Sequence, residues 1–134
     1  MRKRFTIFLF IALFASCITA FASNPIPSEL RKWTEDQNPK DKPPADERIF
    51  VCDMLKESAI VRYHKGMTLQ EVLDQVKFSN AKSQEQPMIA SVYRVGHQPE
   101  FEPVYEESVT DKSKAASFIV QTLDVIYLWN GNRN

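Results

Sequence analysis

The stretch that most restricts what this chain can fold into runs from Tyr63 to Lys77. Thr68 with Glu71 forms a capping box, and Met67 with Val72 supplies the apolar pair of a hydrophobic staple, so the helix start is specified twice. Leu69, Val72, Leu73 and Val76 then recur at helical spacing, leaving Gln70, Glu71, Asp74, Gln75 and Lys77 on the other side. A helix with one apolar stripe needs a cover, and its flanks must supply it. The helix is expected to run out near Phe78-Ser79-Asn80, where Asn80 suits a left-handed cap.

Upstream, Ile49-Phe50-Val51-Cys52 is too brief for a helix and rich in strand formers, and Ala59 to Tyr63 alternates enough to be its hairpin partner across a turn near Leu55 to Ser58. Downstream, the β-branched and aromatic residues of Met88 to Val95 mark a third strand ended by Gly96. From His97 to Lys114 the chain is polar, acidic and broken by Pro99 and Pro103, which predicts a long excursion with one short edge strand near Pro103 to Glu106. Phe118-Ile119-Val120 leads into Asp124 to Trp129, expected as the central closing strand, and Asn130 to Asn134 is a polar tail.

With 134 residues the chain suits one domain. Arg2, Lys3 and Arg4 precede an uncharged apolar run, and Ala20-Phe21-Ala22 provides small residues for cleavage, so Met1 to Ala22 reads as a secretory signal peptide. Two alternatives stand beside it: a retained membrane anchor, since Phe5 to Ala22 approaches the length of one span, and lipidation at Cys17, since Phe14-Ala15-Ser16-Cys17 resembles a lipobox. The expected location is therefore periplasmic or secreted, with a membrane-anchored lipoprotein as the alternative. Loss of the three N-terminal basic residues changes 17 basic against 17 acidic residues to 14 against 17, which is not the footprint of a nucleic-acid binder. Cleavage also removes Cys17 and leaves Cys52 without a disulfide partner, so stability must come from packing. Residues 23–47 hold five prolines among charges and read as a linker or arm, in which Leu30 and Trp33 are expected to form one short helical turn docked on a domain spanning Arg48 to Trp129.

The order hairpin, helix, strand, excursion, strand is that of a β-grasp. Lys65-Gly66-Met67-Thr68-Leu69 with Val72-Leu73, then Val92-Tyr93-Arg94, then Val120-Gln121-Thr122-Leu123-Asp124-Val125-Ile126-Tyr127-Leu128 follow in an order and spacing that resembles the soluble-ligand-binding β-grasp (SLBB) domains of bacterial polysaccharide export proteins. The resemblance implies an α+β fold, a ubiquitin-like roll with a mixed sheet of about four to five strands packed on one main helix. It also implies an accessory role in polysaccharide export with a soluble glycan or an envelope protein as partner. Two departures stand out. Phe78-Ser79-Asn80 replaces the family's Ala-Gly-Gly, and Leu123 replaces the Gly before Asp124, so the turn into the last strand is expected to differ.

No catalytic constellation emerges. His64 and His97 lie in predicted turns without metal-ligand spacing, and Cys52 reads as a small core side chain. Glu106, Glu107 and Asp111 form an acidic loop of the kind that is usually solvated, with cation binding the sharper alternative. Tyr93, Arg94, Tyr105, Tyr127 and Trp129 are the candidate ligand-binding residues, because aromatics beside an Arg on an open sheet face suit sugar rings or a protein partner. The competing reading has the arm and the excursion cover that face. The expectation is a non-enzymatic binding or assembly module with no cofactor, no metal and no nucleic-acid partner. The alternative is a protein–protein interaction module with no small ligand.

Overall fold

The computed structural model describes residues 26–54, 57–76 and 88–131. The expected signal peptide and Cys17 therefore lie outside the described residues, as do Phe78-Ser79-Asn80 and part of the turn after β1. The fold is α+β. In chain order the elements are α1 (Pro27–Gln37), β1 (Arg48–Asp53), β2 (Ser58–Arg62), α2 (Leu69–Gln75), β3 (Ile89–Tyr93), β4 (Tyr105–Ser108), α3 (Lys112–Ser117) and β5 (Val125–Trp129). The strands form one mixed sheet in the order β2-β1-β5-β3-β4. β1 and β5 run parallel at its centre, with Phe50 opposite Val125, and the other three pairings are antiparallel.

Both faces of the sheet are covered, which explains why β1 is a continuous apolar run and not an alternating one. Ile49 and Val51 join Met67, Leu69, Val72, Ala90, Val92, Ile126 and Leu128 in the main core under α2 and α3. Phe50 and Cys52 point the other way, into a second core with Leu30, Tyr93 and Val125 beneath α1.

α1 is the largest departure from the linear reading. The arm does dock through Leu30 and Trp33, but over an eleven-residue helix. Pro27 sits in its first turn, where the missing N–H costs nothing. Thr34, one turn after Leu30, is fully buried because its hydroxyl donates to the Leu30 carbonyl at 2.7 Å. Asn38 closes the helix, donating from Nδ2 to the Thr34 carbonyl at 2.8 Å and to the Ser58 hydroxyl at 3.0 Å, which ties the helix end to edge strand β2. The expectation of one main helix is thus corrected to three, because a segment rich in proline and charge still offers an apolar stripe that the sheet can bury.

The capped helix forms where the sequence puts it. The Thr68 hydroxyl accepts the Glu71 N–H at 3.2 Å. The return half of the capping box is replaced, since the Glu71 carboxylate lies 3.3 Å from His64 Nε2. Met67 and Val72 are both fully buried, in keeping with the staple. The helix is shorter than expected: Val76 is already extended (φ −94°, ψ 118°), so α2 ends at Gln75. Its entry is stitched to the segment before β5, with Leu69 N–H donating to the Phe118 carbonyl at 2.9 Å and Val120 N–H to the Met67 carbonyl at 3.0 Å. Burial of Leu69 and Val72 contributes roughly 1.5–3 kcal/mol each before entropy.

Other boundaries moved by a few residues. β3 occupies Ile89–Tyr93, inside the expected Met88 to Val95, and β4 occupies Tyr105–Ser108 where Pro103 to Glu106 was expected. The excursion also holds α3, which the linear reading did not predict. It is begun by Asp111, whose carboxylate accepts the Lys114 N–H at 3.3 Å, and it buries Ala115. β5 is the closing strand at the centre of the sheet, as the sequence indicates. No helix among the described residues is long and apolar enough to cross a membrane.

Candidate functional site

At the carboxyl end of β3 the chain leaves the sheet through Arg94, and at the start of β5 it enters through Asp124. The two side chains meet. Arg94 Nε donates to Asp124 Oδ1 at 3.1 Å and Nη2 to Oδ2 at 3.0 Å, while the Gln121 N–H donates to Oδ2 at 2.8 Å. Asp124 is 0% exposed, and the side chain of Arg94 is 22% exposed. Burial pushes the Asp124 carboxyl above the ordinary carboxylate range, against the opposing pull of the Arg94 guanidinium and the Gln121 N–H. Arg94 also donates from Nη2 to the Ile119 carbonyl at 3.3 Å and lies 5.5 Å from the centre of the Phe118 ring.

Leu123, immediately before this pair, holds φ at +68°. The departure from Gly at this position was expected to change the turn. Leu123 instead adopts the left-handed conformation that Gly would favour, at a cost of roughly 1–2 kcal/mol. The Leu123 N–H donates to the Arg48 carbonyl at 2.7 Å and its side chain packs on the second core, so surrounding contacts hold the turn.

Beside this corner lies a cavity of about 220 Å³. One wall is the N-terminal part of α1, with Pro27, Ser28 and Arg31, and the other is the loop after β3, with Val95, His97, Gln98 and Glu100. Tyr93, Leu123 and Val125 supply its apolar surface, and Arg94 lies at its edge with the sheet. Arg31 and His97 have no side-chain partner among the described residues.

The five aromatic and Arg candidates do not share one surface. Tyr93 and Arg94 line this cavity. Tyr127 lies on the same sheet face as Tyr93, packed on the second core, where burial first and then the neighbouring Cys52 push its phenol up to about 12. Trp129, farther along β5, is buried and donates from Nε1 to the Ser91 hydroxyl at 2.8 Å, which in turn donates to Glu106 at 2.6 Å. Tyr105 is on the opposite face, packed against Phe118 with ring centres 4.7 Å apart and ring planes tilted by 44°. It lines an open groove of about 550 Å³ between β4 and α3.

The remaining candidates are dispersed as well. Glu106 accepts from Ser91, Glu107 pairs with Lys114 at 3.3 Å, and Asp111 caps α3, so the acidic loop is divided among three local roles. Hydrogen bonding from Ser113 and then the Lys114 N–H holds the Asp111 carboxyl below the usual range. Cys52 is fully buried in β1, and burial pushes its thiol up to about 12, so it remains protonated at neutral pH.

Ser28, Arg31 and Leu123, which line the cavity with Tyr93 and Arg94, were not among the residues the sequence singled out for binding, and His97 lies in the loop after β3. A single signal was available: Arg31 adjoins Leu30, the residue that anchors the arm to the sheet. No family model matches the chain, and no curated protein or solved structure matches it.

Proposed function

We propose that this chain is a non-enzymatic binding module of the cell envelope, built on a β-grasp scaffold of the SLBB kind and accessory to polysaccharide export, with a soluble glycan as its ligand. The scaffold reading is supported by the strand order β2-β1-β5-β3-β4, the parallel central pair, and the helix that follows the first hairpin. The envelope location rests on the basic, then apolar, then small-residue pattern of Met1 to Ala22.

The observation that carries the ligand reading is the cavity between α1 and the β3–β4 loop. Its apolar surface from Tyr93 and Leu123 and its polar walls from Ser28, Arg31 and Gln98 match the two kinds of surface on a sugar ring. At about 220 Å³ it is smaller than the roughly 300–1,000 Å³ of drug-sized sites, which suits one ring and not a chain of them. Glycan-array binding of the purified protein, compared with a Ser28→Phe variant that fills the cavity, tests this. The expected result is binding that the variant loses. Array binding that Ser28→Phe leaves intact, or no binding by either protein, overturns the reading.

One observation favours the alternative of a protein partner without a small ligand. Phe101 is 70% exposed and Val95 58% exposed on the loop that forms the outer wall of the cavity. On that reading the protein binds no glycan on the array, and Phe101→Ser abolishes recruitment of the protein partner in a pull-down.

A further inference from the structure

We propose that the cavity takes an acidic sugar, a hexuronate, with its carboxylate seated on Arg31. This rests on the reading of the cavity as a glycan site and names the chemical class of its ligand.

Some of the charges that line the cavity are already spent on other partners. Arg94 gives Nε and Nη2 to Asp124, so that pair adds little net charge to the cavity. On α1, the neighbouring acid Glu35 is paired at 3.6 Å with Arg48, the first residue of β1. Arg31 is half-buried, lines the cavity and has no ion-pair partner among the described residues. A guanidinium in a partly desolvated recess attracts a carboxylate more strongly than one in bulk water, and its planar fork donates to both carboxylate oxygens at once. Glu100 also lines the cavity and opposes an anion, but it is exposed, where salt and water screen it.

The rest of the lining accounts for a sugar and not a bare anion. Tyr93 and Leu123 offer apolar area to the C–H face of a ring, and the Ser28 hydroxyl and Gln98 amide offer hydrogen bonds to its hydroxyls. The volume holds one ring bearing one carboxylate.

The test is a chemical-shift titration of the full chain with glucuronate, glucose and acetate as separate probes. Glucuronate is expected to shift the amides of Ser28, Arg31, Gly96 and His97 and to bind about tenfold more tightly than glucose or acetate, the gain of one charge-assisted contact. Arg31→Gln should remove that preference, Arg31→Lys should keep part of it, and Glu100→Gln should strengthen it. Equal affinity for glucose and glucuronate overturns the proposal and leaves the glycan reading standing. Acetate binding as tightly as glucuronate overturns the sugar class. No shift of these amides with either sugar overturns both the proposal and the reading beneath it. A native spectrum of Arg31→Gln without ligand separates lost binding from lost folding.

Discussion

Arg94 and Asp124, thirty residues apart in sequence, close a two-point ion pair in which the acid is wholly buried and the base is not. The asymmetry predicts unequal costs of removal. Arg94→Ala leaves a carboxylate at zero exposure without its cation and should cost about 3 kcal/mol, whereas Asp124→Asn leaves a guanidinium that water reaches and should cost about 1–2 kcal/mol. The raised pKa of Asp124 sets the pH sign. A carboxyl raised in the folded state contributes stability that is present below its unfolded value near 3.9 and lost as pH rises through the folded value. Arg94→Ala lifts that value further, so its deficit against wild type should widen as pH rises above the unfolded value. Urea denaturation across that range checks both statements.

Leu123 provides a backbone test. At φ +68° a β-branched residue is far less tolerable than Leu, so Leu123→Ile should destabilise by about 1–2 kcal/mol despite equal volume. Leu123→Gly should be near neutral, because relief of strain offsets the lost packing on the second core. Midpoints of chemical denaturation decide it.

Cys52 should be inert to alkylation in the folded protein and reactive on unfolding. Its thiol is raised from 9.0 to about 12, so the unfolded chain releases the proton first and stability should fall as pH rises from 9.0 toward 12. Iodoacetamide labelling at pH 8, with and without urea, and stability measured at pH 8 and 10 test the two halves.

Within α2 the apolar positions are unequal. Leu69 is fully buried and Leu73 only partly, so Leu69→Ala should cost about 2–5 kcal/mol and Leu73→Ala clearly less. Thr68→Ala, which removes the cap on Glu71, should cost about 1 kcal/mol. Leu73→Asp should abolish folding, because it places a charge against the main core. A folded Leu73→Asp protein, detected by near-ultraviolet circular dichroism, would contradict the assignment of this core.

Much of the architecture was legible because its signals are local. The Thr68 cap needs only residues within one turn, and the apolar runs of β1 and β5 mark buried strands by composition. α1 and α3 were not legible to the same degree. Prolines and charges around Leu30 hide the stripe that the sheet buries, and α3 presents one buried residue, Ala115, too little for a periodic pattern. The candidate site was harder still, since Arg31, Tyr93, Arg94 and Leu123 come from segments far apart in the chain.

The capped helix entry thus belongs to the sequence alone: Thr68 accepts the Glu71 N–H because three residues of helix bring them together, whatever the rest of the chain does. Strand alternation likewise settles that Phe50 and Cys52 share a side opposite to Ile49 and Val51. Which side lies under α1, and hence that Tyr93 lines a cavity while Tyr105 faces a groove on the other face, was decided only by the tertiary structure. Period and capping act over a few residues, but the cover on each face is chosen by the apolar area that distant segments can bury together.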